Sequence, residues 1–319
     1  PWVLQKMVMI SKQENITSIA DFIAARYGKS QSLAVVVALI CLVGVLPYIA
    51  LQLKGIVLGV NLLIGAGADA MGTRAQDTAL IVSLVLALFT IVFGTRNLDA
   101  TEHHRGMVLA IAFESLVKLF AFLAVGAFVT YGLYDGFDDL FNQAMLAPRL
   151  EAYWKETINW PSMVVQTGVA MMAIICLPRQ FHVTVVENID PQDLRLAKWV
   201  FPAYLALAAL FVVPIALAGQ MMLPSDVLPD SFVISLPLAQ AHPALAMLAF
   251  IGGASAATGM VIVASVALST MVSNDMLLPW LLRRNNAERP FEVFRQWMLS
   301  VRRVTIVVIL LLAYVSYRL

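Results

Sequence analysis

Seven long apolar stretches, near 32–66, 77–94, 107–132, 160–178, 199–222, 244–273 and 301–317, limit this chain more than any other feature. A hydrocarbon core about 30 Å thick is crossed by about 20 apolar residues of helix. Runs of Leu, Ala and Val this long do not alternate polar with apolar residues, so they are not barrel strands. Hydrophobic residues make up 61% of the 319 and charged residues only 13%, which is more apolar surface than one soluble core of that size buries. The lipid bilayer is the partner expected to cover the excess, and the fold class expected is an all-α membrane protein.

Charge placement gives an orientation. With the start taken as cytoplasmic, the cytoplasmic connections hold Lys6, Lys12, Arg26, Lys29, Arg96, Arg105, Arg179, Arg195, Lys198, Arg283, Arg284, Arg289, Arg295, Arg302 and Arg303, against Arg74, Arg149 and Lys155 on the other side. Fifteen against three is a strong positive-inside bias, and it predicts a multi-pass protein of a bacterial inner membrane. The acidic and aromatic loop at 133–158 suits the outer face. A formal net charge of +1 with no basic helix leaves no footprint for nucleic acid. Cys41 and Cys176 lie in apolar runs without metal-ligand company, and packing is their expected role.

Residues 1–31 read as a cytoplasmic connector with one short helix, capped by Thr17 or Ser18, with Asp21 in its first turn and Gly28 at its end. Residues 32–319 read as a seven-span membrane domain. The chain starts Pro1-Trp2-Val3 and closes on Arg318-Leu319 within an apolar run, so a domain cut at both ends is expected. The first run would measure about 50 Å as a helix, with Pro47 as a possible kink and Lys54 snorkelling. Asp190-Pro191 predicts a short cytoplasmic helix within 179–198, and 231–241 an outer-surface helix.

Glu114 and Lys118 stand one turn apart within the third run. Ionisable groups at membrane depth are costly unless paired or hydrated, so two readings stay open: a self-neutralising i,i+4 pair, or a proton or cation relay. His182 with Arg179 and Glu187 reads as a cytoplasmic gate, a relay to a further domain, or plain polar surface. The adjacent His103 and His104 lack ligand company and predict no metal site. No nucleophile elbow, phosphate loop or carboxylate dyad is present, so catalysis in this segment is not expected.

Four segments together resemble the solute:sodium symporter family: Asp21-Phe22-Ile23-Ala24-Ala25-Arg26-Tyr27-Gly28, Tyr48-Ile49-Ala50-Leu51-Gln52-Leu53, Gln180-Phe181-His182, and Ser273-Asn274-Asp275-Met276-Leu277. The resemblance implies a LeuT-type inverted-repeat helical bundle, here in part, the seven runs standing for core helices three to nine. Leu177-Pro178-Arg179-Gln180-Phe181-His182 with Glu187-Asn188, and the His103-His104-Arg105 connector, are similar to the transporter-like membrane domains of bacterial sensor histidine kinases. The resemblance implies transport or sensing of a small solute such as an amino acid, histidine included, with a possible cytoplasmic kinase domain in the full chain. A free-standing solute:cation symporter and a non-transporting receptor are the alternatives.

The resemblance also assigns roles. Gln166, Thr167 and Gly168 form the polar break of the sixth core helix, where exposed backbone dipoles suit a zwitterion's carboxylate or side chains bond between helices. Gln52 joins them as a candidate substrate contact. The family places two adjacent hydroxyl residues about four turns before the Asp matching Asp275, and counting back lands on Gly259 and Met260. Hard cations want oxygen ligands, and a thioether has none. Thr258 replaces them only with a register shift. No cofactor and no sodium dependence are therefore expected, but proton coupling, facilitated movement or no coupling.

Overall fold

The computed structural model describes residues 2–65, 73–94, 105–157, 159–279 and 291–318. Arg96, His103, His104, Arg283, Arg284 and Arg289 lie outside them. The described residues are helical and include no strand. The helices are α1 (Trp2–Gln13), α2 (Ile19–Arg26), α3 (Gln31–Leu63), α4 (Thr73–Gly94), α5 (Arg105–Ala127), α6 (Phe137–Leu146), α7 (Glu151–Lys155), α8 (Trp160–Cys176), α9 (Pro178–Phe181), α10 (Asp193–Ala209), α11 (Val212–Met222), α12 (Phe232–Ala239), α13 (Pro243–Met271) and α14 (Phe291–Arg318). The chain continues helically as wider π turns after α5 (Phe128–Leu133), α9 (His182–Val186) and α13 (Val272–Leu277).

Each apolar run coincides with a helix, but not all seven have the length expected. Among the described residues, five segments are long and apolar enough to cross a bilayer: Gln31–Leu63, Val108–Leu133, Asp193–Met222, Pro243–Leu277 and Gln296–Arg318. Pro148–Lys155 with Trp160–Cys176 makes a sixth only if counted as one bent span. The 17 residues of α8 reach about 26 Å. Pro161 in its first turn and Pro178 just beyond its end fix that length.

Three local expectations are corrected. The connector 1–31 holds two helices, because Val8 and Ser11 bury one face of α1. No separate helix follows Asp190: its carboxylate accepts from the Gln192 amide at 2.8 Å, leading straight into α10. The helix expected at 231–241 is α12, but it does not lie free: it is packed into the bundle and buries Phe232, Ser235, Leu236 and Pro237. Cys41 packs against the core, whereas Cys176 is exposed.

α13 is the mast of the bundle. It touches α3, α4, α5, α9, α12 and α14, and it buries an unbroken run from Val263 to Met271. In lipid, helices associate by close packing and not by apolar exclusion, so small residues at the seam matter. Gly252 and Gly259, two turns apart on one face, meet α5: a methyl at 252 would strike the Ala121 methyl, and one at 259 would strike the Glu114 carboxylate. α3 runs along another side, with Tyr48 beside Met260 and Gly59 beneath Phe250.

Two apolar clusters sit at opposite ends of this mast. One gathers Val8, Ile19, Ala20, Phe181 and Val185 against Ile49, Leu268, Met271 and Ile306. The other gathers Val125, Val129, Leu140, Phe211, Ile215, Phe232 and Leu236, with the Phe137 and Phe211 rings stacked at 5.9 Å. The first cluster therefore marks the end where α1, α2, the turn after α9 and the close of α13 meet.

The seam predicts an asymmetry between neighbouring glycines. Gly252→Ala pushes α5 from α13 and lowers stability by about 1–3 kcal/mol, whereas Gly253, which has open space around it, becomes about 0.5–1 kcal/mol more stable as Ala. Unfolding in mixed detergent micelles measures both; equal effects would contradict the seam.

Candidate functional site

Four helices bring ionisable and polar groups to mid-length of the bundle. Tyr48 lies seventeen residues from Gln31 along α3, and Met260 lies seventeen residues from each end of Pro243–Leu277. Arg179 comes in from α9, immediately after the chain breaks at Leu177, whose backbone is extended (φ −67°, ψ 128°). Its Nη1 donates to the Tyr48 hydroxyl at 2.6 Å, and its guanidinium lies 5.1 Å from the centre of the Tyr48 ring. The Tyr48 hydroxyl in turn donates a hydrogen bond to the Met260 sulfur at 2.8 Å. One phenol thus ties α3, α9 and α13 together.

Glu114 and Lys118 face this tie from α5. The Glu114 carboxylate occupies the space left by the missing side chain of Gly259. It interacts electrostatically with Lys118 and Arg179, and Lys118 with both in turn. Nevertheless, among the described residues neither closes an ion pair within 4.0 Å. The self-neutralising pair is therefore open, because Glu114 turns towards α13 while Lys118 is exposed. Tyr204 of α10 donates to the Ser115 carbonyl at 3.2 Å and feels the Glu114 charge.

The remaining sequence candidates fall elsewhere. Gln52 is half-buried, one turn beyond Tyr48 on the same face of α3. Gln166, Thr167 and Gly168 are exposed on α8. Gln166 bonds to Ser162 at 3.4 Å and Thr167 to the Met163 carbonyl at 2.8 Å, both within the helix. α8 runs unbroken through Gly168, so the break expected there is displaced to Leu177-Pro178, where proline has no amide to continue the ladder. Arg179 also parts company with His182 and Glu187. His182 Nε2 lies 3.4 Å from Glu187 Oε1, both buried, in the turn that packs against α1.

A second polar network closes the end that α1 and α2 share. Ser18 caps α2 by accepting from the Asp21 amide at 2.9 Å and donates its own proton to Asp275 at 2.9 Å. Gln31 donates to the Asp275 carbonyl at 2.5 Å, Asn274 to the Thr17 hydroxyl at 3.3 Å, and Arg302 to Asn274 at 3.3 Å. Two of the sequence motifs, Asp21-Phe22 and Ser273-Asn274-Asp275, therefore meet in space, a convergence that sequence reasoning missed although it singled out both. Burial lifts the Asp21 carboxyl above its ordinary value, opposed by the Thr17 amide and by Lys29.

No protein-family model matches the chain. Over 143 residues it is 25% identical to a protein of Bacillus subtilis (strain 168) described as the uncharacterized symporter YhjB. That match covers 44% of this chain and 26% of the relative's length. The apolar helices mark a multi-pass helical membrane protein, and over less than half of its length the chain is similar to a symporter of which it spans about a quarter.

A raised Asp21 sets a sign for pH. The folded state holds that proton more tightly than the unfolded chain, so this group's contribution to stability rises as pH falls through the raised value and levels off below the unfolded one. Thermal melting in detergent between neutral and mildly acid pH should show wild type gaining on Asp21→Asn as pH falls; parallel curves would contradict the burial of Asp21.

Proposed function

We propose that this chain is the membrane core of a solute carrier or of a carrier-like solute sensor, with its solute site at Glu114, Lys118, Arg179 and Tyr48. The observation that carries the reading is the convergence of three charged side chains at mid-length of the bundle. Such charges are retained in membrane segments where a substrate or ion passes. The similarity to a symporter supports the same class. A LeuT-type repeat, with rocking of one set of helices against another, is the mechanism this reading adopts.

Within it, Glu114 is the group that takes up and releases the coupling proton. Gly259 and Met260 offer no side-chain oxygen ligand, and Arg179 already supplies a tethered cation beside the carboxylate, so sodium has no assigned task in this reading. The solute proposed is an amino acid such as histidine, held against Tyr48 and Gln52. Rearrangement of the site would move Arg179 and, with it, the short helix it rides on.

That short helix favours the sensing form of the reading. Arg179 points into the bundle, while Phe181, His182 and Val185 on the next turn pack towards α1 and α2, and Lys12 of α1 donates to the Ile189 carbonyl at 2.5 Å. A solute that displaces Arg179 thereby has a short mechanical route to the connector, from which a histidine kinase in the full chain would be biased. The ligand shifts that equilibrium only by its difference in affinity for the two states.

Uptake of radiolabelled amino acids, histidine among them, by the full-length protein in proteoliposomes tests the carrier form. An imposed pH gradient should drive uptake with choline replacing sodium, and Glu114→Gln should lower it by about tenfold or more. A strict sodium requirement, or unchanged uptake by Glu114→Gln, would overturn the proposal.

A further inference from the structure

The charges at the solute site do not cancel. Lys118 and Arg179 stand against the single carboxylate of Glu114, leaving one positive charge in excess. Arg179 offers five N–H donors in a planar fork, and the described bond it makes goes to a neutral phenol. Lys118 makes no ion pair within 4.0 Å among the described residues. An uncompensated cation at membrane depth is costly, and a guanidinium is matched best by a planar anion that takes two parallel hydrogen bonds.

We infer that this site recognises its solute through a carboxylate group, gripped by Arg179 with Lys118 beside it. The inference rests on the proposed solute site and names the chemistry that site reads. A carboxylate end group meets the excess positive charge at Arg179 and Lys118, and in a solute that lacks an ammonium it also brings the fixed charges to neutrality. The Tyr48 ring lies beside Arg179, and the Met260 thioether meets the same Tyr48 hydroxyl that Arg179 bonds, an apolar wall that suits the organic part of a solute and gives a bare inorganic anion nothing to rest on. Glu114 remains free for the coupling proton or for the ammonium of an amino acid. Tyr48, Glu114, Arg179 and Met260 are half-buried and Lys118 is exposed, so none of them is sealed in the core.

A thiol placed beside Arg179 reads this directly. In full-length protein with Cys41 and Cys176 replaced by Ser, Met260→Cys should react with a sulfonated methanethiosulfonate at least about tenfold faster than with its trimethylammonium counterpart, since the local field attracts one and repels the other. Propionate should slow that labelling, whereas propionamide, and chloride at equal ionic strength, should not; Arg179→Met should abolish the protection. Faster reaction of the cationic reagent, or equal protection by propionamide or chloride, would overturn the carboxylate assignment. If either variant fails to fold, thermal melting of unsubstituted protein makes the same comparison: propionate raises the melting temperature and propionamide does not, and equal shifts overturn the inference. Charge-selective labelling without amino-acid uptake would keep the carboxylate site and remove the carrier reading. Proton-driven uptake without charge selectivity would remove the carboxylate site alone.

Discussion

A missing side chain at position 259 is the constraint from which the centre of this molecule follows. Any residue with a Cβ there would collide with the Glu114 carboxylate, so glycine lets a charged helix lie flush against α13. The same close approach keeps α5 within reach of Arg179 and of Tyr48, whose phenol joins three helices. Without it, α5 would stand off and the three charges would lose one another's company. In a lipid surround, where helices gain little by hiding apolar surface from one another, such a fit is what holds a seam.

The mast divides the bundle into ends of different character. At the far end aromatic and aliphatic side chains from the close of α5 and from α11 and α12 interlock. At the near end a polar network adds to the apolar cluster around Phe181 and Met271: Ser18, Gln31, Asn274, Asp275 and Arg302 bond across sequence separations as large as 257 residues. The charge cluster sits between them, and Arg179 rides on the short helix α9, whose following turn packs against α1.

Much of this was legible in the chain. Long apolar runs report helices almost directly, because few side chains other than Leu, Ala and Val are tolerated against lipid, and Glu114 and Lys118 stand out against that background. Span length was less legible: α8 is cut short by prolines whose effect depends on where the helix begins and ends. The helix at 2–13 escaped notice, although Leu4, Met7, Val8 and Ser11 carry the right spacing, since short amphipathic signals are drowned by the long runs that follow. Gln166 to Gly168 looked like a break because polar residues were expected to interrupt a helix; here they bond within it. The meeting of Asp21 with Asp275, and of Glu114 with Gly259, depends on which helix faces are turned together, which a single sequence does not encode in any local pattern.

The contact at the centre is open to a direct chemical measurement. In full-length protein in native membranes, with Cys41 and Cys176 replaced by Ser, a cysteine at 114 and another at 259 should form a disulfide under mild oxidation, while 114 paired with 253 should not. No bond at 114–259, or equal bonding at both positions, would contradict the seating of Glu114 against Gly259 and with it the charge cluster built upon that contact.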